Sequence, residues 1–267
     1  MVQSEKKSPV VLSIAGFDPS SGAGITADVK TIASHNCFAI CCITALTVQS
    51  TLGVRSVEPL SGNLVRRTLE ELAADLPIAA VRIGMLGSDE VAVAVADFLE
   101  KLLPPIVVLD PILRASSGAE LLDADGMDIV RSRLIPLATV VTPNSEEAEA
   151  LTGIAVRDEA GQRSAGTKLL EMGCRAVVVT AGHLKVASDL LLWRRAEVGI
   201  GEQWFRGPKI ESRSTHGTGC AFATSLACGL ALGKNLPEAV GAAKDFVRRA
   251  IETAEPMGKG IGPLKLI

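Results

Sequence analysis

Short, continuous apolar runs alternate with amphipathic helical segments along most of this chain, and this alternation constrains the fold more than any other feature. Runs rich in Val, Ile and Leu occupy residues 79–83, 106–109, 139–142 and 176–180, and Gly, Asp, Pro or Thr closes each of them. Such runs are typical of strands that are buried on both faces of a parallel sheet. With helices between them, they predict a three-layer α/β/α sandwich around a mostly parallel central sheet.

The remaining segments fit this architecture. A first strand at residues 10–15 leads through a Gly- and Ser-rich loop into a helix at 25–34, and a second strand follows at 38–45. The other predicted elements are helices at 63–72, 90–102, 217–232 and 237–254 and an antiparallel edge hairpin at 188–194 and 197–205. The sequence contains no internal repeat, low-complexity tract or linker, so we predict one domain over residues 1–267, with residues 1–8 as a flexible polar tail.

Charge and composition exclude several classes of function. A net charge of −3, 3% aromatic residues and the lack of Tyr disfavour a nucleic-acid-binding surface. The polar N-terminus has no apolar core of a secretory signal, and no apolar run reaches the ~18 residues of a transmembrane helix, so no membrane association is expected. The six cysteines show neither CxxC zinc spacing nor a compact disulfide framework, so we expect reduced thiols in a cytoplasmic protein.

Polar residues cluster where the predicted strands end. In open α/β sheets, ligands bind outside the carboxyl ends of the strands, so these positions form the candidate site. They are residues 16–19, 84–85, 110–111, 142–144, 182–183 and 217–220. One such loop is ordinary turn chemistry, but six at successive strand ends indicate a shared binding site.

The first of these loops contains GAGITA at residues 22–27, which has the GxGxx(G/A) spacing of dinucleotide-binding loops. That fingerprint also needs an acidic residue near the end of the second strand, where it holds the ribose. Residues 38–49 contain no Asp or Glu, so the sequence disfavours a nicotinamide or flavin cofactor. The chain also lacks a Walker A phosphate loop.

The segment 214–221, with the sequence STHGTGCA, is the sharpest signal in the chain. Its glycines open a long apolar helix, whose free N–H groups and positive dipole end favour an anion such as phosphate. Cys220 lies in the first turn of that helix, where the dipole is expected to lower the pKa of the thiol and favour the thiolate. The alternative is a Gly-rich helix start in which Cys220 is a small buried apolar residue.

Asn144, Glu147 and Asp110 are candidate ligands of a phosphate-bound magnesium ion. An Asn and a Glu three residues apart, where a strand leads into a helix, face the same turn. Mg²⁺ takes few direct protein ligands and keeps several waters, which suits this pair. A capping box, with Asn144 as the N-cap, explains the pair equally well. Asp110 follows an apolar strand, where it either caps a turn or contacts a metal or phosphate.

Gln49 is a candidate contact for a heteroaromatic ring, because its amide offers both a hydrogen-bond donor and an acceptor. The alternative is an ordinary surface Gln. The histidines are expected to have other roles: His35 is solvated at a helix end, and His183 and His216 are structural residues of candidate loops.

In this order, the motifs resemble those of the hydroxymethylpyrimidine/phosphomethylpyrimidine kinases of thiamine biosynthesis, within the ribokinase-like superfamily. The resemblance runs from residue 10 to the GKGIGP tail and rests on AGFDPSSGAGITADVKT, ITALTVQST, RIGMLGS, VVLDPILRASSG, VVTPNSEEAEALTG, TAGH and STHGTGCAFA. It implies a ribokinase-like fold, ATP and Mg²⁺ as cofactors, the hydroxymethyl group of a small pyrimidine as phosphoryl acceptor, and a homodimer. It also implies a second transfer, to the monophosphate.

The resemblance assigns roles to individual residues. In the acceptor pocket it places Gln49 on the pyrimidine edge, together with Gly16, Asp28 and Met85. Around the nucleotide phosphates it places Asp110, Asn144, Glu147 and Lys244, with Asp110 and Glu147 reaching the metal through water. At the point of transfer it places an anion hole formed by Gly217, Thr218 and Gly219, with Cys220 as the base.

Three positions depart from the family pattern. Phe17 and Ser21 stand where Ser and Gly are expected, and Thr180 stands where a Lys is commoner. We expect these changes to affect the pocket entrance and one contact to the nucleotide phosphates, rather than the class of reaction. Two alternative functions remain: a pyridoxal kinase of the same fold and a non-catalytic ligand-binding homologue.

Overall fold

The computed structural model describes residues 7–114, 118, 121–181, 187–195, 199–208 and 210–267. Within these residues, a nine-stranded sheet lies between two layers of helices, which is the predicted three-layer sandwich. Of the predicted tail at residues 1–8, only Lys7 and Ser8 are described, and both are exposed; residues 1–6 lie outside the described part. Among the described helices, none combines the length and the apolarity needed to span a bilayer.

The strands are numbered along the chain: β1 (Val10–Phe17), β2 (Phe38–Ser50), β3 (Gly53–Pro59), β4 (Ile78–Ile83), β5 (Val107–Leu109), β6 (Val140–Val141), β7 (Ala176–Val179), β8 (Ala187–Arg194) and β9 (Ile200–Gly207). In the sheet they lie in the order β3-β2-β1-β4-β5-β6-β7-β8-β9. The strands from β2 to β7 in this order pair in parallel. The edge strands β3, β8 and β9 pair antiparallel, and β8 and β9 form the predicted edge hairpin.

The helices are α1 (Gly24–Ser34), α2 (Gly62–Asp75), α3 (Asp89–Leu102), α4 (Ala124–Ile129), α5 (Ile135–Leu137), α6 (Ser145–Thr152), α7 (Glu159–Glu171), α8 (Thr218–Ala231) and α9 (Leu236–Glu252). A π-helical turn, Val130–Leu134, joins α4 to α5. Helices α1, α8 and α9 pack on one face of the sheet, and the helices from α2 to α7 pack on the other.

The packing of the core explains why the central strands could be predicted from the sequence. Along β1, Leu12 and Ile14 pack against the layer that contains α2 and α3, whereas Val11 packs against α1, α8 and α9. Successive side chains of a strand point to opposite faces, and here both faces are covered. Apolar residues are therefore needed at consecutive positions, which produces the continuous runs.

The end of β2 differs from the prediction. The strand continues past residue 45, and beyond Leu46 it leaves β1 and pairs only with β3, which the sequence did not predict. We call residues 46–59 the β2–β3 arm. Alternate side chains of the arm face solvent, including Leu46 and Val48, which are exposed. The arm therefore mixes polar and apolar residues and lacks the continuous apolar run of the central strands.

Candidate active site

The candidate site lies along the carboxyl edge of the sheet. In the sheet, β1 has β2 on one side and β4 on the other. Helix α1, which connects β1 to β2, belongs to one helical layer, whereas the helices that connect the strands from β4 to β7 belong to the opposite layer. Such a reversal opens a crevice outside the carboxyl ends of the two central strands, here β1 and β4. Gly16 near the end of β1 and Met85 after β4 meet there, and a Cβ on Gly16 would lie 2.6 Å from the Met85 Cε methyl. A larger residue than Gly at position 16 would displace that side chain.

Two helix N-termini come together in this crevice. Gly217, the N-cap of α8, has a left-handed conformation with φ 85°, and a Cβ there would overlap the carbonyl of Gly22, just before α1. Helices α2, α3, α4, α6, α7 and α9 each begin with a side-chain cap. Of the described helices that begin at a loop, only α1 and α8 have none. Two positive dipole ends therefore lie side by side, which favours an anion.

The first turn of α8 provides backbone donors for that anion. The N–H groups of Thr218, Gly219 and Cys220 have no acceptor within the helix, whereas the N–H of Ala221 already donates to the Gly217 carbonyl at 2.9 Å. Gly219 faces the end of β5, where a Cβ on Gly219 would lie 4.0 Å from Asp110 Oδ1. The predicted anion hole and a predicted metal-site carboxylate are therefore neighbours.

Cys220 differs from the prediction in its protonation. The residue is 6% exposed. Burial raises the pKa of the Cys220 thiol to about 11; the Arg82 guanidinium lowers it, and the carboxylates of Asp110 and Asp28 raise it. The expectation of a thiolate at Cys220 is wrong, because burial disfavours the charged form of the thiol. Cys220 is a neutral thiol at the foot of the crevice.

Arg82, on β4, is fully buried beneath the site. Its Nη1 donates to Asp28 Oδ2 at 2.9 Å, and its Nη2 donates to Asp110 Oδ2 at 2.6 Å. Gly84 makes room for the guanidinium, since a Cβ at that position would overlap it. Desolvation of a buried ion costs several kcal/mol, so each of these charges depends on its partner. Within the described residues, the Nε of Arg82 has no acceptor.

Asp28, on α1, is also fully buried, and both of its oxygens are occupied. Oδ2 accepts from Ser13 Oγ at 2.5 Å and from Arg82, and Oδ1 accepts from Thr224 Oγ1 at 2.7 Å. The expectation that Asp28 lines the substrate pocket does not fit this arrangement. Asp28 is instead a counter-ion that ties α1 to β1, β4 and α8.

Asp110 and Glu147 form the acidic side of the site. Burial raises the pKa of Glu147, and the Asp110 carboxylate raises it further. Burial likewise raises the pKa of Asp110, although Arg82 opposes this. The Asp110 carboxylate thus disfavours the charge of Glu147, and a cation near both would relieve this. The described residues contain no group of three metal-ligating side chains. Two carboxylates suit Mg²⁺, which takes few protein ligands and keeps most of its waters, and a magnesium site here stays a prediction.

The capping box predicted as an alternative is present. The N–H of Glu147 donates to Asn144 Oδ1, and the N–H of Asn144 donates to Glu147 Oε2, both at 2.9 Å. This box starts α6. It engages one oxygen of the Glu147 carboxylate, so capping and metal binding are compatible roles.

Gln49, on the β2–β3 arm, meets a histidine to which the sequence analysis gave only a structural role. His216 Nε2 lies 3.0 Å from Gln49 Nε2 and 2.8 Å from Asp18 Oδ2. The same Asp18 oxygen accepts from the N–H groups of Gly22 and Ala23. Burial raises the pKa of Asp18, but its hydrogen bonds outweigh burial and lower it overall. The first loop, the arm and the segment before α8 are joined at this point.

Lys244, on α9, is engaged at the far edge of the sheet. Its Nζ donates to Asp189 Oδ2 at 2.6 Å and to the Phe205 carbonyl at 2.7 Å. Asp189 Oδ1 in turn accepts from the N–H of Ala181 at 2.9 Å, just after β7. Lys244 therefore fastens β8 and β9 beside the exit of β7, and its role at the nucleotide stays a prediction. The candidate loop residues 182 and 183 lie outside the described part.

Three polar residues of the site had no functional role assigned from the sequence: Asp18, which lies in a candidate loop, His216, which was expected to be structural, and Arg82, which was not singled out. Arg82 had a signal, because it is a charge inside the apolar run 79–83. His216 directly precedes the anion-binding glycines, but nothing local indicates its partners. Asp18 lies 198 positions away from His216, and Asp28 lies 54 positions away from Arg82. Only the packed fold brings them together.

Comparison with known proteins gives a consistent result. The sequence model of the phosphomethylpyrimidine kinase family matches residues 18–265. A hydroxymethylpyrimidine/phosphomethylpyrimidine kinase of Streptomyces coelicolor is 41% identical over 257 residues, which are 96% of this chain and 93% of that protein. The thiamine biosynthesis bifunctional protein of Geobacter sulfurreducens is 40% identical over 259 residues, which are 96% of this chain and 52% of that protein.

Among solved structures, an ADP complex of the pyridoxal kinase of Bacillus subtilis matches with a TM-score of 0.87 at 29% identity, over 97% of each chain. The likenesses extend over nearly the whole chain. The family match over residues 18–265 spans Asp110, Glu147 and the first turns of α1 and α8.

Proposed function

The chain belongs to the phosphomethylpyrimidine kinase family, and from that membership we propose that it transfers the γ-phosphoryl group of ATP to the hydroxymethyl group of 4-amino-5-hydroxymethyl-2-methylpyrimidine. It is a phosphotransferase with an alcohol group as acceptor. We propose a second transfer as well, to the resulting monophosphate, which gives the diphosphate for thiamine biosynthesis. The names of the relatives support both steps, because they include the hydroxymethylpyrimidine and the phosphomethylpyrimidine activities.

The observation that carries this proposal is the pair of uncapped helix N-termini with Cys220 between them. Phosphoryl transfer needs alignment of the acceptor with the γ-phosphate and stabilisation of charge on the transferred oxygens. In the proposed mechanism, the N–H groups of Thr218, Gly219 and Cys220 donate to those oxygens. Donors that are fixed before reaction need no reorganisation when the charge develops.

Cys220 is the proposed general base. It takes the proton of the acceptor hydroxyl as the oxygen bonds to phosphorus. In the ligand-free chain its pKa is raised, in part by the Asp110 carboxylate. Neutralisation of that carboxylate removes one of the charges that keep the thiol protonated, while Arg82 continues to favour the thiolate. Deprotonation of Cys220 is therefore coupled to occupation of the acidic side of the site.

Asp110, Glu147 and Asn144 are the proposed groups around the nucleotide metal. A bound Mg²⁺ neutralises phosphate charge and orients the donor. Asp110 and Glu147 would hold its water shell, and the raised pKa values of both carboxyl groups, which a cation would lower, support this assignment. Asn144 orients Glu147 through the capping box, and Lys244, held beside the exit of β7, is proposed to contact the nucleotide.

The acceptor pocket is proposed to lie between the β2–β3 arm and the ends of β1 and β4. The Gln49 amide pairs with the pyrimidine edge, Met85 packs on the ring, and Gly16 keeps the wall open. Gln49 is partly exposed and lies 3.0 Å from His216, which directly precedes the anion-binding glycines, and this position supports the role.

A coupled assay of ADP release tests the proposed function. We expect Mg²⁺-dependent ADP release with 4-amino-5-hydroxymethyl-2-methylpyrimidine, and further release when its monophosphate is supplied. Pyridoxal is the matched competitor, because the B. subtilis pyridoxal kinase shares the fold. A higher kcat/KM for pyridoxal would assign the pyridoxal kinase activity instead. Lack of ADP release with all three acceptors would indicate a non-catalytic ligand-binding protein.

We also propose a homodimer in the cytoplasm. The exposed apolar side chains Leu46 and Val48 on the outer face of the arm support self-association. All six cysteines are free thiols, which is consistent with a reducing compartment.

A further inference from the structure

The contacts of His216 determine where its hydrogen lies. Asp18 is 3% exposed and, as a carboxylate, can only accept hydrogen bonds. Its 2.8 Å separation from His216 Nε2 therefore requires a hydrogen on that nitrogen. The lowered pKa of Asp18 agrees with a charged carboxylate here. An imidazole nitrogen that carries hydrogen has no lone pair to offer, so the Gln49 amide atom 3.0 Å away must be an acceptor.

The acceptor of an amide is its oxygen. The oxygen and nitrogen of a Gln side chain have nearly the same shape, so their partners decide which atom takes which place. A half-turn of the Gln49 amide puts Oε1 opposite His216 and puts the NH₂ group 3.2 Å from Thr47 Oγ1. The Thr47 hydroxyl uses its only hydrogen on the Phe17 carbonyl at 3.0 Å, so it is free to accept.

In this orientation the Gln49 amide, the Thr47 hydroxyl and the N–H of His216 all have a suitable partner. Gln49 donates to Thr47, Thr47 donates to Phe17, and the N–H of His216 is shared between Asp18 and the Gln49 oxygen. In the reverse orientation, the one hydrogen of Thr47 would be needed twice and two N–H donors would face each other. That arrangement loses hydrogen bonds in a half-buried site, where unpaired polar groups are costly.

The His216 ring is also fixed in position. Its backbone N–H donates to the Gly262 carbonyl at 3.0 Å, and the N–H of Gly262 donates to the Arg213 carbonyl at 2.7 Å. On the other side, the ring lies against Gly22, where a Cβ would overlap it. The chain therefore holds one ring orientation before any ligand binds.

We propose that His216 is a positioning residue that fixes the orientation of the Gln49 amide and thereby sets the donor and acceptor pattern that the substrate ring must present. This inference rests on the proposed function, in which Gln49 contacts the pyrimidine edge. A 4-aminopyrimidine presents a ring-nitrogen acceptor beside an amino donor, and the 4-oxo analogue presents the reverse. A reversed amide would accept the 4-oxo analogue, or would turn the 4-amino ring over and move its hydroxymethyl group away from the phosphoryl donor.

The test compares kcat/KM for the 4-amino acceptor and its 4-oxo analogue. The wild type is expected to prefer the 4-amino ring by about 100-fold or more, because two hydrogen bonds mismatch in the analogue. His216→Phe keeps a ring but has no hydrogen-bond donor, and it should reduce this preference to about 10-fold or less. The change should appear in the KM for the acceptor, whereas the KM for ATP should stay at the wild-type value. His216→Gln restores an N–H donor and should recover most of the preference. His35→Phe, the same change at the end of α1, should leave it at the wild-type value.

Full wild-type preference in a folded His216→Phe variant would overturn the inference. If the wild type phosphorylates neither ring, the proposed function fails, and a second measurement still decides the placement of the hydrogen. The chain has three histidines, so long-range ¹H–¹⁵N correlation of the ligand-free protein can resolve each ring, with His216 assigned from its loss in His216→Phe. We expect hydrogen on Nε2 of His216. A neutral ring with hydrogen on Nδ1 and a bare Nε2 would contradict the inference, whatever the activity.

Discussion

At the scale of single residues, one buried cation controls the chemistry of the crevice. Arg82 pairs with Asp28 and Asp110, so the cluster has one more negative than positive charge when both carboxylates are ionised. A thiolate at Cys220 would add a further anion to the same dry region, which explains the raised pKa of that thiol. The protonation of Cys220 therefore depends on the charge state of its neighbours.

The first prediction separates the catalytic from the structural interpretation of Cys220. Cys220→Ala should lower kcat by roughly 10²–10⁴-fold, the usual effect of removing a general base. Nucleotide affinity should change little, because the proposed phosphate donors are backbone N–H groups that Ala retains. Steady-state kinetics and calorimetric titration with ATP analogues measure the two effects.

Cys228→Ala is the matched control for Cys220→Ala, since Cys228 is a fully buried cysteine of the same helix. It should lower the melting temperature and leave kcat near the wild-type value. Cys220→Asp is expected to recover little activity, because three carboxylates would then share Arg82. If Cys220→Ala turns over at the wild-type rate, the base assignment is wrong and the backbone donors remain as the only catalytic feature of the segment.

The second prediction concerns the pH dependence of stability. The pKa of Glu147 is raised in the folded chain, so the folded state binds this proton more tightly than the unfolded state. The resulting stability is present below the ordinary carboxyl pKa of 4.5 and is lost as pH rises through the folded value. The melting temperature of the wild type should therefore fall with rising pH relative to that of Glu147→Gln.

Added Mg²⁺ should reduce this difference at high pH, because a bound cation removes the mutual repulsion of Glu147 and Asp110. Asp18 has the opposite shift, but it is present in both proteins and cancels in the comparison. If the melting temperatures of the two proteins change in parallel with pH, the charge of Glu147 does not destabilise the folded state.

At the scale of elements, the helix N-termini divide into two groups. Six of the described helices use an Asn, Asp or Ser side chain as N-cap, and these caps satisfy the orphan N–H groups internally. Helices α1 and α8 lack such caps, and both begin in the crevice. The uncapped ends are where a phosphate can take the place of the cap.

The third prediction uses two caps of the same type. In α6 the N–H of Glu147 donates to Asn144 Oδ1 at 2.9 Å, and in α9 the N–H of Glu238 donates to Asn235 Oδ1 at 3.0 Å. Asn144→Ala and Asn235→Ala should each cost about 1 kcal/mol of stability, measured by urea denaturation. Only Asn144→Ala should raise the Mg²⁺ concentration needed for half-maximal turnover. If both variants keep the wild-type metal dependence, Asn144 is a cap and nothing more.

At the scale of the whole molecule, the sheet has a protected centre and an exposed end. Both faces of the parallel strands are covered by helices, whereas on the outer face of the β2–β3 arm the exposed Leu46 and Val48 lie opposite Glu58 and Ser56 of β3. The arm also holds Gln49, so a partner on its outer face would stiffen one wall of the proposed acceptor pocket. Association and acceptor binding are then linked through the same two strands.

The fourth prediction is that a charge on the outer face of the arm dissociates the proposed dimer. Val48 is 56% exposed, and Val48→Glu should shift the sedimentation coefficient from that of a dimer to that of a monomer. Leu232→Glu places the same charge on an exposed leucine at the end of α8 and should leave the dimer intact. A wild type that sediments as a monomer at all concentrations would rule out the proposed homodimer.

The sequence alone determined the layered architecture and the edge hairpin, and it predicted where the candidate site lies. Continuous apolar runs are required where a strand is covered on both faces, and polar residues collect at strand ends because ligands bind there. The sequence also indicated the Asn144–Glu147 capping box and the glycines at 217–219. Each depends on residues within one turn of each other.

Only the tertiary structure decided the charge state of Cys220, the pairing of Arg82 with Asp28 and Asp110, and the contact between Gln49 and His216. The position at a helix N-terminus predicted a thiolate from local sequence, but burial by the surrounding layers raises the pKa of the thiol. Gln49 and His216 lie 167 positions apart, and the alternation of strands and helices does not specify which loops touch. Burial and long-range hydrogen bonds set these properties, and both exist only once the sheet and its two helical layers have packed.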